Sequence, residues 1–167
     1  LRQNVEFISG ITHKDAESVN GALAVAYMIA SIINGSFNKE TILGNITGYI
    51  GPSKMADKIR QVQKLLNDPA IDTGKAMGLI GITNSIYDTV GSSFYAFLKL
   101  INDFQVSMII AKDHSGDNHA IPSILGNISG AYHGDEGIFS DWKNAVYRGN
   151  DILKSADDLY KFCHGMV

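Results

Sequence analysis

The sequence predicts an all-α chain, and three observations carry that prediction. Apolar residues recur at three- and four-residue steps through most of the 167 residues, the spacing that aligns side chains on one helix face. No stretch alternates apolar and polar residues as a half-buried strand does. Turn and stop residues, such as Asn34-Gly35 and Asn67-Asp68-Pro69, fall between the periodic segments. There is no repeat, low-complexity tract or linker. The chain reads as one domain over residues 1–167, long enough to bury a sizeable core.

Taken in order, Thr12 followed by Asp15 resembles a capping box with Asp in place of the usual Glu. A helix is expected after it, with Val19, Leu23, Ala26, Ala30 and Ile33 on one face. Its other face (Ala24, Tyr27, Met28, Ser31) is also mostly apolar, which predicts a central helix. Asn34-Gly35 ends it. A second short helix is expected over residues 39–46, broken by Gly48 and Gly51. Pro52 suits the first turn of a third helix. That helix has Met55, Ile59, Val62 and Leu66 inside and Lys54, Lys58, Gln61 and Lys64 in water. Residues 70–88, with Gly74, Gly78 and Gly81, read as loop plus a short helix. Another helix begins near Asp88 or Thr89, with Val90, Phe94, Phe97, Leu98 and Ile101 on its core side. Val106 to Ala111 reads as helix because nothing else in the chain resembles a sheet. Ile152, Ala156, Leu159 and Cys163 mark a final amphipathic helix, with Cys163 as a buried structural thiol.

Composition narrows the function classes. Hydrophobic residues make up 45% and charged residues 19%, a soluble globular balance with many helix faces to bury. The net charge of −3 gives no basic stripe for phosphates, so no nucleic-acid partner is expected. The Lys54–Lys64 cluster reads as one helix's wet face. A single cysteine excludes an internal disulfide and fits a reducing compartment. No apolar run is long enough to suggest a membrane span, and no leader opens the chain. A cytoplasmic location is the expectation, although Asn34-Gly-Ser36, Asn45-Ile-Thr47 and Asn127-Ile-Ser129 match a glycosylation pattern. The first residue is Leu1, which suggests part of a longer protein. His114, His133 and His164 show no zinc-like spacing with Cys163. There is neither a phosphate-cradling Gly-Lys loop nor a nucleophile elbow.

The segment from Ala111 to Gly134 is the most informative. Ser115-Gly116-Asp117-Asn118 is a tight polar loop, and Asp117 or Asn118 can cap the helix that follows. Pro122 falls in that helix's first turn, where its missing N–H is harmless. Gly126, Gly130 and Gly134 recur every four residues and predict a smooth strip against a close neighbouring helix. Such a loop would hold one carboxylate at the mouth of a bundle.

These residues resemble the ADP-ribosylglycohydrolase family. Its signature is an acidic loop of the form Gly-Gly-Asp-Thr-Asp-Thr or Ser-Gly-Asp-Asn-Asp-Ser. That loop runs into an Ile-x-Gly-x-Ile-x-Gly-Ala-x-x-Gly helix, here Ile124 to Gly134. Ile138 to Trp142 stands where the family has Ile-Pro-x-x-Trp, and Thr12-His13-Lys-Asp15 matches its Thr-His-x-Asp segment. Gly91 to Phe97, leading into Asp103-Phe104, also fits the family's order. The resemblance implies an orthogonal all-α bundle that cleaves ADP-ribose from a protein side chain or another acceptor. It also implies magnesium in the cleft, with Asp117 as a ligand, His119 at the second ligand position, and Ser115 and Gly116 shaping the ribose pocket.

Two departures set up an alternative. His119 stands for the family's second aspartate and Ala120 for its hydroxyl. Imidazole is a poor magnesium ligand and a methyl group is none. The family's Thr-Asp-Asp-Thr and Gly-Asp-Ala-Leu-Gly segments, expected N-terminal to this stretch, are not found. The chain is therefore expected to be the C-terminal part of such a domain. The alternative is a non-catalytic binding or structural module. Asp117 stays open between metal ligand and plain cap, and Trp142 between core aromatic and cleft wall. Thr12 and His13 read as structural.

Overall fold

The computed structural model describes residues 1–116 and 118–166. Among them are ten α-helices, one short 3₁₀ turn and no strand, as the periodicity predicted. The helices are α1 (Arg2–Thr12), α2 (Ala16–Ile33), α3 (Ile42–Ile50), α4 (Lys54–Leu66), α5 (Thr73–Ile80) and α6 (Ile86–Lys99). They continue with α7 (Phe104–His114), α8 (Ala120–His133), the turn Asp135–Gly137, α9 (Ser140–Ala145) and α10 (Gly149–Cys163).

α6 is the axis of the bundle. Every residue from Thr89 to Leu98 is buried, because α4, α5, α7, α8 and α2 all pack on it. Its polar residues are satisfied: Ser92 donates to the Gly81 carbonyl at 2.7 Å, and Ser93 to the Thr89 and Ile121 carbonyls at 2.7 and 3.0 Å. The exception is Tyr95, wholly buried with an unpartnered hydroxyl.

The helix starts follow side-chain capping. Asp15, Ser53, Asp72, Ser85 and Asp103 each accept a hydrogen bond from a backbone N–H in the first turn. The cap of α2 is therefore Asp15 alone, and Thr12 instead closes α1. Pro52 sits just outside α4, before the Ser53 cap. α4 gains a second cap from afar, because the Glu17 carboxylate accepts from the Lys54 and Met55 N–H groups at 3.1 and 2.9 Å. α3 begins three residues later than expected and runs through Gly48. Asn38 folds back to accept from Glu40 and Thr41 N–H, a local turn that competes with helix.

Several expectations about faces are corrected. In α2 the buried side is Gly21, Leu23, Ala24, Met28 and Ser31, and Ile33 is exposed. By length and mean hydropathy (1.5) α2 is apolar enough to cross a bilayer, contrary to the expectation; here it packs against α1, α3, α4, α6 and α8. Lys58 does not face water: its side chain is 18% exposed and pairs with Asp88. The glycine strip of α8 meets no close helix. A Cβ on Gly126 would touch only Met108 at 3.5 Å, one on Gly130 would meet nothing within 4 Å, and Gly134 ends the helix at φ +67°. Trp142 is partly exposed and lies edge-on to Phe104. Cys163 is exposed, and α10 has no buried residue at all.

Candidate functional site

A cleft of about 780 Å³ opens between α1, α2, the start of α6 and the start of α8. Ser9, Thr12 and His13 form one lip, with His13 Nδ1 and Thr12 Oγ1 2.9 Å apart. α2 supplies an apolar wall of Ala22, Val25, Ala26 and Ile29. Asn84, Ile86 and Thr89 close a second side, and Ala120, Ile124 and Asn127 of α8 a third. A concave apolar surface rimmed by a few hydroxyl and amide groups is what a small polar ligand with one flat apolar part requires.

Thr12-His13 and Ala120, over a hundred residues apart in sequence, thus face the same cavity. The apolar face of α2 that the sequence assigned to the core is in part the wall of this cleft. Thr12 and His13, read from sequence as structural, line it too.

Ser115, Gly116 and Asn118 precede α8, whose first residue, Ala120, lines the cleft. Ser115 is buried and donates its hydroxyl to the Lys112 carbonyl at 3.3 Å. Gly116 takes φ +56°, which favours glycine. His119 is exposed and occupies the N-cap position of α8 without making a side-chain cap. Asn118 does that work: its Oδ1 accepts from Ala120 N–H at 3.0 Å. Ser115, Gly116 and His119 are not among the described residues lining the cavity. Asp117, the expected metal ligand, lies outside the described residues.

Behind the cleft runs a polar network that periodicity gave no signal for. The Lys58 ammonium donates to Asp88 at 3.1 Å and to the Ile80 carbonyl. The Thr83 hydroxyl donates to the other Asp88 oxygen at 2.7 Å. Burial pushes the Asp88 carboxyl up, but the hydrogen bonds from Thr83 and Lys58, with the ammonium charge, outweigh it and hold the group below its ordinary value. Gly81, at φ +114°, lets the chain turn past this carboxylate; a Cβ there would stand 2.3 Å from the Asp88 carboxyl carbon.

The described residues do not by themselves fit a magnesium ion. No cluster of three His, Cys, Asp or Glu side chains gathers among them. Magnesium asks for near-octahedral oxygen ligands. The loop offers an imidazole at His119, a methyl at Ala120, and an Asn118 amide already engaged.

The chain is similar in sequence to several known proteins. The chain is 20% identical to the ADP-ribosylhydrolase ARH3 of Gallus gallus, over 90% of this chain and 49% of that protein. It is 30% identical to an uncharacterized protein of Archaeoglobus fulgidus, over 78% of this chain and 42% of that protein. It is 22% identical to the ADP-ribosylarginine hydrolase Tri1 of Pseudomonas putida, over 91% of this chain and 38% of that protein. The chain therefore spans about half the length, or less, of the curated relatives it matches. The sequence model of the ADP-ribosylglycohydrolase family matches residues 1–165, and with its all-helical fold the chain belongs to that family.

Proposed function

We propose that this chain forms part of the ADP-ribose cleft of an ADP-ribosyl hydrolase that releases ADP-ribose from a protein side chain or another acceptor. One observation carries the reading. Two segments that match the family's signature, Thr12-His13 and the start of α8, meet across one cavity with an apolar wall. The apolar side (Val25, Ile29, Ile86, Ile124) suits a flat base, and the rim (Ser9, Thr12, Asn127) suits ribose hydroxyls. Cleavage of a glycosidic bond builds positive charge at the anomeric carbon. A nearby carboxylate favours that charge, and Asp117, which matches the family's aspartate and lies outside the described residues, is the candidate for it. The acid–base groups of the reaction are not assigned to any described residue of this chain.

Magnesium enters this reading as a family expectation that the loop is poorly equipped to meet. Replacing His119 with Asp restores an oxygen donor and is expected to raise magnesium affinity at least about tenfold, given the preference of this ion for oxygen. Calorimetric titration with magnesium measures it, and an unchanged isotherm counts against a metal at this loop.

The second reading, a non-catalytic module, is favoured by the same two positions, His119 and Ala120. Release of ADP-ribose from a modified protein by the whole protein separates the two. Turnover that depends on the cleft residues supports the hydrolase, whereas tight ADP-ribose binding without turnover supports the module.

A further inference from the structure

We propose that Asn118 is a positioning residue: its side chain latches the polar loop onto the α5–α6 connection and so fixes the distance between two walls of the cleft. Its bearing on ligand binding rests on the reading above; the latch itself rests on geometry. Asn118 is buried, 3% exposed. Its Nδ2 donates to the Thr83 carbonyl at 2.6 Å and to Thr89 Oγ1 at 3.3 Å. Its Oδ1 accepts from Ala120 N–H at 3.0 Å, and its own N–H donates to the Ser115 carbonyl at 3.0 Å. Both amide donors are therefore spent on the α6 side, and the amide oxygen on α8. Thr83 is itself anchored through Asp88 to Lys58. The result is a continuous chain of polar contacts from α4 to the first turn of α8. Thr89 and Ala120, the two ends that Asn118 joins, both line the cleft. Single helix caps are common in this fold, but the other side-chain caps are each made by a carboxylate or a Ser hydroxyl oxygen. A side-chain amide supplies an acceptor for the cap and two donors for the opposite wall at once, one donor more than a hydroxyl offers.

Two substitutions separate latch from cap. Asn118→Asp keeps an acceptor for Ala120 N–H, and Asp caps as well as Asn. It removes the donor to the Thr83 carbonyl, which has no proton to offer in return. Asn118→Ala removes both functions. Hydrogen–deuterium exchange on the 167-residue chain reads the difference. The latch predicts that amides of residues 83–89 exchange at least about tenfold faster in both variants, while those of α2 and α4 are unchanged. Wild-type exchange at 83–89 in Asn118→Asp, with acceleration only at 119–123 in Asn118→Ala, overturns it in favour of a plain cap. Uniform acceleration across the chain also overturns it. ADP-ribose binding by calorimetry adds the functional arm. Where the wild-type chain binds, Asn118→Asp is expected to bind at least about tenfold more weakly, and equal affinity contradicts a positioning role. If the wild-type chain does not bind ADP-ribose, the cleft reading fails while the exchange result still decides the latch.

Discussion

α6 and α10 are nearly equal in length, and both carry apolar residues at helical spacing, yet α6 buries ten consecutive residues and α10 none. Ile152, Leu153, Leu159 and Phe162 of α10 are all more than half exposed. Amphipathic spacing says that a helix has a face to bury. It does not say that the surrounding chain supplies the cover. α6 is covered because its middle is apolar or small on every side and because its serines find backbone carbonyls, so five helices can close on it. α10 meets chiefly α9.

The largest expected effect lies in α6. Phe94→Ala empties a site that is wholly buried and should cost about 3–5 kcal/mol, read by urea denaturation; a loss below 1 kcal/mol would mean that α6 is not the packed axis. Gly81→Ala comes next. It forces a side chain into φ +114° against the Asp88 carboxyl and should cost about 1–3 kcal/mol.

The third prediction concerns acid. The lowered Asp88 group contributes stability that is present above the ordinary carboxylate value near 3.8 and is lost as pH falls through its folded value. Asp88→Asn should therefore flatten the loss of stability below about pH 4 in acid titrations followed by circular dichroism; an unaltered acid limb would remove Asp88 from the account. Tyr95→Phe should be neutral or stabilising by up to about 1 kcal/mol, because it deletes a buried hydroxyl that has no partner. The smallest effect sharpens the comparison directly: Leu159→Ala in α10 should change stability by less than about 0.5 kcal/mol. A loss near that of Phe94→Ala would show that α10 is covered after all.

Much of the bundle was legible in the residues. The core side of α6, with Val90, Phe94, Phe97 and Leu98, was read from spacing alone, as was the inner stripe of α4. What was not legible depended on partners distant in sequence. Glu17 caps α4 from 37 residues away, and Lys58, placed in water by its own helix, is drawn inward by Asp88 thirty residues on. α1 was missed because its burial is slight and Gly10 weakens its pattern. At the site, the loop was legible as a capping turn, but the assignment of that cap to Asn118 was one of two open options. The cleft itself could not be read, because a cavity wall and a core face share the same apolar spacing. In α2, Ala26 fits either description until α8 and α6 are in place.

The central claim is that the cavity between α1, α2, α6 and α8 is where this chain meets ADP-ribose. Backbone amide shifts on titration with ADP-ribose, followed by two-dimensional NMR of the labelled chain, test it most directly. The account predicts saturable shifts at Thr12, His13, Thr89, Ala120 and Ile124, with α10 silent. Shifts confined to α9 and α10, or none at saturating ligand, would contradict it.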